Sequence, residues 1–540
     1  MIPVWFNCGR GIWDQGMIES LISGQLWPVP ATYEVAPGLC PGGVVVIHGE
    51  YAQSNPVPPI PPNSVVLLTG NELRGWKPRE HCPGESKVWA QHVPIGDTSV
   101  DRTLIPGWPP GTREGLAGIS RGPLDQRRLW GFAGQVNNIS RGHFMDAIKG
   151  RTDGAAHASA GFAQGMEHGA YLRFLADCAI APSPGGAVNP EGFRLYESLE
   201  AGCLPVAQRG YPGWQDGSNW WPWALSRAGV APFPTVGAWS EFPALLDRYA
   251  KDPIALQRDA NKAGAWWLAH KRRMAFDLFD DCRALSGVRP EAKGLSETVT
   301  VLMSSSVIPG HPSIDLIAES IRRVRSYPAL EACEILIMLD GVPPEDALRT
   351  RDYEEYRRRL IDACNFDPAF RGCLPIVFED HVHQSEMTKQ TLNYVRTPLV
   401  FFVEHDTYPM GEIDFGGIAT LLLEPETPYK LIRLHICHKV LDEQARCYLD
   451  PLPKTVSGVP LIRTVEWSQR PHMARTDWYI RILAEHVQPS QKIWIEHAVH
   501  SAAMYANWER FGMAIYAPEG ENMTRSGHSD GRRWRRVDAA

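Results

Sequence analysis

Several features of membrane, secreted and zinc-binding proteins are missing from this 540-residue sequence. No apolar run approaches the roughly 20 residues that a membrane-spanning helix needs. The first residues lack the charged segment and the apolar stretch of a secretory signal. The 11 cysteines include no CxxC pair and no histidine partners at zinc-ligand spacing, which indicates buried free thiols. We therefore expect a protein of the cytoplasm without a transmembrane segment.

Excess positive charge is missing as well. The formal net charge is -7, so the chain as a whole does not attract nucleic acid. The basic segment 532–536, RRWRR, is the exception, and it fits a contact with a polyanion, a membrane surface, or simply a solvated chain end. Nucleic acid is therefore a possible partner that the charge does not favour.

What is present, 44% hydrophobic and 21% charged residues, is typical of a globular protein. This length favours two to four domains. Strand-like runs separated by Pro- and Gly-rich loops predict a sheet-rich first lobe over residues 1–120, and a second lobe with clearer helices covers residues 121–285. A polar linker is expected at 286–297. In the last domain, 298–540, strands alternate with helices, as parallel βαβ units require, so the chain belongs to the α/β class.

Residues 171–206 carry the clearest chemical signal of the first half. Their pattern predicts a helix, a short strand, a loop, a second helix and another strand. Asn189 suits the N-cap of that second helix and Pro190 its first position. Arg194 and Glu197 are three residues apart, on one face near the helix N-terminus. Such a terminus attracts a diphosphate, Arg194 adds a full charge, and Glu197 is placed to accept hydrogen bonds from a ribose.

This arrangement resembles the donor-binding half of GT-B glycosyltransferases, and most closely that of the exostosin-like group. The matching residues are Pro182, Arg194, Glu197, Ala201, Gly202, Cys203, Pro205 and Val206, with Gly134 and Arg141 after the first strand of the lobe. The resemblance covers roughly residues 120–285 and implies a GT-B-like pair of Rossmann-type lobes. It also implies that Gly134, Arg141, Arg194 and Glu197 bind a nucleotide-sugar donor without a metal. A plain surface helix is the alternative.

Four tryptophans follow this segment at 214, 220, 221 and 223. Clustered aromatic rings can stack on sugars, but tryptophans more often fill a core or an interface, and we favour the core for this cluster.

In the second half, a buried strand runs straight into acidic residues. Leu399–Val403 is an unbroken apolar run, typical of a strand buried on both faces of a parallel sheet. Glu404, His405 and Asp406 follow at the carboxyl end, where open α/β sheets bind ligands. The triplet resembles the DxD motif of GT-A glycosyltransferases, with Glu in place of the first Asp. This implies Mn²⁺ or Mg²⁺ held by Asp406 and Glu404, with His528 as a further candidate ligand. A strand end that simply meets water is the alternative.

The same resemblance assigns further positions in the GT-A-type domain. Ser304 lies at the loop expected to hold the nucleotide base, and Asp340 follows a strand where it would face uridine or ribose. Arg470 belongs to a segment whose arginines and aromatic rings suit a phosphate and sugar pocket. Glu496 and His497 stand where many inverting GT-A enzymes carry an acidic pair. Glu496 is our first choice for the base that deprotonates the acceptor, and His497 is the second.

A GT-B-like module followed by a GT-A-like domain with a mixed, mainly parallel sheet resembles the two-module exostosins. It implies a bifunctional glycosyltransferase that uses nucleotide-sugar donors, most simply UDP-sugars, and a glycan acceptor. Two alternatives stay open. In the first, the acceptor is a nucleic-acid base or a protein. In the second, one module is degenerate and serves as a glycan-binding scaffold.

Overall fold

The chain folds into two compact units, Met1–Glu291 and Ala292–Ala540. The computed structural model describes residues 1–161, 164–186, 190–209, 220–221, 225, 232–287, 293–438, 445–488, 491–518 and 523–529. The first unit combines helices with parallel sheets and the second combines helices with a mixed sheet, which confirms the predicted α/β class. Across these residues, no helix is both long enough and apolar enough to cross a membrane.

The first unit begins with an all-parallel sheet. Its strands are Ile2–Phe6 (β1), Tyr33–Val35 (β2), Val44–His48 (β3), Val65–Thr69 (β4), Lys87–Ala90 (β5) and Arg102–Thr103 (β6), and its α-helices are Gly16–Ile22, Gly49–Ser54, Pro78–His81 and Thr112–Ala117. The strand order is β2-β1-β3-β4-β5-β6. The runs VVVIH and VVLLT form the centre because their Val, Leu and Ile side chains are buried on both faces. The chain reverses direction across the sheet between β1 and β3.

A second parallel sheet in the same unit has the same kind of reversal. Its strands are Arg128–Gln135 (β7), Gly154–Ser159 (β8), Cys178–Ser183 (β9), Leu204–Gln208 (β10) and Thr235–Val236 (β11), and its α-helices are Ile139–Ala147, His168–Ala176, Phe193–Glu200 and Phe242–Lys251. The strand order is β11-β10-β9-β7-β8. The order reverses between β7 and β9, and a crevice at the carboxyl ends of such strands is where open α/β sheets bind ligands.

The helix after β9 starts later than its sequence signals indicate. It begins at Phe193 with Gly192 in the N-cap position, so Pro190 precedes it. The reason lies in Glu191, which is buried and accepts a hydrogen bond from the Tyr196 hydroxyl at 2.5 Å. At the other end, Gly202 adopts a left-handed φ of +70° just beyond the helix, a conformation that favours glycine. Asn189 lies outside the described residues.

One long helix, Pro253–Ser286, fastens the two sheets of the first unit to each other. Near its middle, Trp267 donates to Glu200 of the second lobe at 2.7 Å. Near its end, Asp281 accepts hydrogen bonds from Trp89 of β5 at 2.9 Å and from Arg102 of β6 at 2.7 and 2.9 Å. The helix therefore belongs to both lobes.

A buried ion network lies where this helix meets the second lobe. The Glu200 carboxylate accepts from Lys271 at 2.8 Å and from Arg113, and the side chains of Glu200 and Lys271 are completely buried. Burial alone raises the pKa of Glu200, but the charges of Arg113 and Lys271 outweigh it and lower that pKa. Glu200 is therefore ionised in the interior, where it pairs with Arg113 and with Lys271, whose own pKa burial lowers to about 7.

The second unit is built around one mixed sheet. Its strands are Val299–Ser305 (β12), Ile335–Leu339 (β13), Cys373–Val377 (β14), Leu399–Glu404 (β15), Thr407–Pro409 (β16), Leu431–Arg433 (β17), Lys454–Val456 (β18), Val459–Arg463 (β19), His472–Arg475 (β20), Met513–Tyr516 (β21) and Ser526–His528 (β22), and its α-helices are Asp315–Arg325, Thr350–Phe366, His383–Thr391, Phe415–Leu423, Thr476–His486, Ile495–Tyr505 and Trp508–Phe511. The order is β14-β13-β12-β15-β20-β17-β21-β19-β18, while β16 and β22 pair separately. β12 to β15 are parallel, and β20 runs antiparallel to β15.

We expect Glu200→Gln to destabilise the first unit by about 3–5 kcal/mol, because it removes the carboxylate that pairs with buried Lys271 and half-buried Arg113. Urea unfolding followed by tryptophan fluorescence measures this loss. Glu114→Gln, at an exposed position on the same helix as Arg113, is the matched control and should change the free energy of unfolding by less than about 0.5 kcal/mol. Equal stability of the two variants would contradict the role assigned to Glu200.

Candidate functional site

A cavity of about 880 Å³ lies in the first unit, at the carboxyl ends of β7 and β9. Side chains from both lobes line it. The second lobe supplies Gly134, Gln135, Arg141, Ser183, Arg194 and Glu197, and the first lobe supplies Trp13, Glu72, His92 and Pro106. The structure therefore brings together all four residues that the sequence assigned to donor binding in this half.

The Arg194 guanidinium is fixed against the end of β7. Its Nε and Nη2 atoms donate to the Ala133 carbonyl at 3.1 and 2.6 Å, and its central carbon lies 4.4 Å from the centroid of the Phe132 ring. Gly134 makes this position possible, because a Cβ atom there would collide with Arg194 Nη2. Its φ of +153° is also one that side chains rarely allow. Glycine and arginine at these two positions thus depend on each other.

Arg141 is held at the same strand end. Its Nη1 donates to the Gln135 carbonyl at 3.2 Å and to the Asn137 side chain at 3.0 Å. Asn138 caps the helix that carries Arg141 and also donates to the Gly185 carbonyl at 3.1 Å, which ties the loop after β7 to the loop after β9. Two fixed cationic side chains therefore line one cavity.

Glu197 and the helix N-terminus complete this wall. The Glu197 carboxylate accepts from the Tyr171 hydroxyl at 2.7 Å, and burial raises its pKa. Gly192, in the N-cap position, provides no side-chain hydrogen bond to the first turn of the helix, and it lines the cavity together with Phe193. Free N–H groups in a first turn favour an anion.

Ser183 is a functional candidate that sequence reasoning missed. It is the last residue of β9, it is only 6% exposed, and it lines the cavity. Within the described part of the chain its hydroxyl has no hydrogen-bond partner. A buried hydroxyl without a partner is costly, so it points to a ligand. The available signal was its place at the carboxyl end of the strand CAIAPS, beside the cationic loops. Arginines, a hydroxyl and a helix N-terminus together suit a diphosphate.

The two described tryptophans of the predicted cluster are buried. Trp220 and Trp221 are 2% and 4% exposed, and Trp221 donates to the Gln208 carbonyl at 2.7 Å. This agrees with the core interpretation, while positions 214 and 223 lie outside the described residues.

In the second unit, the triplet after β15 divides between interior and edge. His405 is buried, its Nδ1 lies 2.9 Å from the Ser305 hydroxyl, and its carbonyl accepts from Ser320 at 2.5 Å. Burial lowers the pKa of His405, which favours the neutral ring. Glu404 and Asp406, on either side of it, are only half-buried. The histidine therefore anchors the strand end.

Glu404 lies among other charged groups. It accepts from Gln384 at 2.7 Å, and burial, followed by the charge of Asp406, raises its pKa to about 7. Arg470 lowers this pKa and Glu496 raises it, which places both candidates close to Glu404. Glu496 is half-buried in the first turn of its helix.

Pairing of β16 with β22 brings His528 to Asp406. His528 lies opposite Thr407 in the ladder, and its Nε2 is 3.4 Å from Asp406 Oδ2. Within the described ranges, no group of three or more His, Cys, Asp and Glu side chains could hold a metal ion. The pair supplies two donors of the kind that Mn²⁺ accepts, and phosphate oxygens or water would have to complete the coordination.

Asp340 is fully engaged by its own loop. It accepts from the backbone N–H groups of Gly341, Val382 and His383 at 2.9, 2.8 and 3.1 Å, and it lies 2.8 Å from His381 Nδ1. The side chain is also buried. It therefore holds the 380–383 loop in place, and its predicted contact with uridine or ribose stays a prediction.

The remaining candidates are distributed around Glu404. Ser304 is buried beside Glu404 in the β12–β15 register, and its carbonyl accepts from the His405 N–H at 2.9 Å. His497 is exposed and close enough to His383 to lower the pKa of that ring. Of the two candidate bases, Glu496 is the one that lies by the triplet.

No family model matches the sequence, and no curated protein matches it. Among solved structures, residues 1–349 of S. aureus TarS are 12% identical, with a TM-score of 0.27 over 42% of this chain and 59% of that one. The mannosyltransferase PcManGT of Pyrobaculum calidifontis, in complex with GDP-Man and Mn²⁺, is 9% identical, with a TM-score of 0.25 over 49% and 68%. A UDP-glucose pyrophosphorylase complexed with UDP-glucose is 12% identical, with a TM-score of 0.26 over 41% and 91%. The chain thus spans 59% of the first of these structures, and likenesses this remote do not assign a function.

We expect the free energy of unfolding to fall as pH rises through 7. In Glu404→Gln this fall should be smaller by about 1 kcal/mol or more. The folded chain holds the Glu404 proton up to about pH 7, whereas the unfolded chain releases it near pH 4.5, so folding is favoured at the acidic end of this window. Urea unfolding at pH 5 and pH 8 measures the difference. Exposed Glu426→Gln is the control, and parallel pH profiles for the wild type and Glu404→Gln would contradict the assignment.

Proposed function

We propose that this chain is a glycosyltransferase that uses nucleotide-diphosphate sugars, with one donor site in each unit. The observation that supports this most is the set of fixed cationic side chains at the β7–β9 reversal. Arg141 and Arg194 are both held by backbone carbonyls of β7, so they are positioned before any ligand arrives. A preorganised positive wall suits a leaving group whose negative charge grows during transfer.

In the first unit, the diphosphate lies against Arg194, Arg141 and the N-terminus of the helix Phe193–Glu200. Ser183 donates its unpaired hydroxyl to a phosphate oxygen. Glu197, held by Tyr171, accepts from the ribose hydroxyls. These residues bind and orient the donor, and they stabilise the departing diphosphate without a metal.

In the second unit, Asp406 and His528 would hold Mn²⁺ or Mg²⁺, which would supply positive charge to a second diphosphate. Arg470 adds a cation from the protein itself. Glu496 takes the acceptor proton, and His405 keeps the strand end in place through Ser305. A UDP-sugar donor and a glycan acceptor complete the proposal.

A second candidate is that the GT-A-type unit has lost its chemistry and binds glycans. Two observations favour it. Asp340 already has four protein partners, and Glu404, with a pKa of about 7, is only partly ionised near neutral pH. Metal-dependent turnover separates the two candidates, because a unit that only binds glycans would show none.

With EDTA present to silence a metal-dependent site, we expect Arg194→Lys to weaken UDP binding to the full chain by about 10–100-fold. Lysine lacks the planar guanidinium group, which can donate to the Ala133 carbonyl and at the same time donate to a phosphate. Calorimetry measures the dissociation constant. Arg173→Lys, at an exposed position on the helix His168–Ala176, should stay within about twofold. Unchanged affinity in Arg194→Lys would rule out this diphosphate site.

Addition of Mn²⁺ should raise hydrolysis of UDP-sugars by the full chain, and Asp406→Asn should remove the added part because it takes away a charged ligand. His528→Ala should remove a smaller share. The comparison uses release of UDP with and without EDTA, and Asp477→Asn, 58% exposed, is the control. A rate that does not depend on Mn²⁺, or one that survives Asp406→Asn, would favour the glycan-binding alternative.

A further inference from the structure

Two loops of the first lobe contribute a carboxylate and an imidazole to the lining of the same cavity. Glu72 follows β4 and His92 follows β5, and both line the cavity that Arg141 and Arg194 line. His92 Nε2 lies 3.7 Å from Glu72 Oε1. The His92 side chain is 8% exposed and that of Glu72 is 48% exposed, so the carboxylate is accessible while the ring behind it is enclosed.

The residues next to this pair are held firmly. Asn71 is buried and bonds the backbone of Trp76 in both directions, at 2.9 and 3.1 Å. The Gly70 N–H donates to the Gln91 side chain at 3.3 Å, which joins the two loops. His92 itself has a φ of +57°, a conformation that non-glycine residues seldom adopt. The backbone of the two loops that carry Glu72 and His92 is therefore held in place.

Comparison of the carboxylates that line the cavity singles out Glu72. Glu197 accepts from Tyr171, and Glu191 is buried and accepts from Tyr196. Glu167 caps the helix His168–Ala176 by accepting from two backbone N–H groups. The Glu72 carboxylate, by contrast, contacts the His92 ring and is neither engaged by a tyrosine nor used as a helix cap within the described residues. It is therefore the carboxylate most open to a ligand.

The charges around Glu72 favour a basic carboxylate. Burial, then Asp14 and Glu50, raise its pKa, while Arg141 lowers it. A carboxylate with a raised pKa binds a proton more tightly and is a stronger base. Trp13, which is 41% exposed and lines the same cavity, adds an aromatic face on which a sugar ring can pack.

We propose that Glu72 is the catalytic base of the first unit and that His92 positions it. This rests on the proposed donor site. An acceptor hydroxyl attacks the anomeric carbon of the donor sugar, its O–H proton passes to Glu72, and a new C–O bond forms. The bond from that carbon to the phosphate oxygen breaks, and the oxygen leaves with the electron pair towards Arg194 and Arg141. Glu72 then returns the proton to solvent.

The test follows hydrolysis of UDP-glucose, UDP-N-acetylglucosamine and GDP-mannose by the full chain in EDTA, where water is the acceptor. Glu72→Gln should lower turnover by about 100-fold or more, while the dissociation constant for UDP stays within about twofold. Glu85→Gln, exposed on the same lobe, should retain wild-type turnover. His92→Gln should lower kcat with KM unchanged and shift the acidic limb of the pH profile. An unchanged melting temperature shows that each variant is folded.

The outcomes separate the two proposals. If Arg194→Lys weakens UDP binding but Glu72→Gln keeps more than about a tenth of the turnover, the donor site stands and Glu72 is not the base. If wild-type protein neither binds UDP nor hydrolyses any of the three donors in EDTA, the proposed donor site is wrong, and so is the assignment of Glu72 as its base. If His92→Gln leaves both kcat and the pH profile unchanged, His92 has no positioning role.

Discussion

A parallel sheet whose strand order reverses leaves a crevice beside the reversal, because the chain leaves the two neighbouring strands towards opposite faces. The first unit depends on this constraint. The reversal between β7 and β9 places the ends of two strands side by side, and the groups assigned to donor binding line the cavity at this point. The cations are then fixed by the strand itself, since the Gln135 and Ala133 carbonyls of β7 accept from the guanidinium groups of Arg141 and Arg194.

Much of this arrangement could be predicted from the sequence because it is local. Arg194 and Glu197 lie on one helix, where spacing decides which side they face, while Gly134 and Arg141 come from the resemblance to exostosin-like transferases. Ser183 could not be found in the same way, since its importance comes from lacking a partner, which only coordinates reveal. The helix start was misplaced because Asn189 and Pro190 are good start signals, whereas the bond between Glu191 and Tyr196 depends on packing.

The same distinction applies to the second unit. The strand Leu399–Val403 and the acidic residues after it can be predicted from the change from apolar to polar residues along the sequence. The interior position of His405 and the satisfied carboxylate of Asp340 follow from contacts with residues far along the chain, and no spacing rule reports them. The contact between Asp406 and His528 joins residues more than a hundred positions apart through a short pair of strands. The two candidate sites also differ in kind, because one is lined by fixed cations and the other contains the acidic side chains of Glu404, Asp406 and Glu496.

The helix Pro253–Ser286 has a mechanical consequence for the first unit. Its 34 residues extend for about 50 Å, and it is bonded to one lobe through Glu200 and to the other through Asp281. The lobes cannot slide apart without breaking buried bonds at the middle or near the end of this helix. An opening of the cleft that leaves these bonds intact has to keep both lobes attached to the same helix.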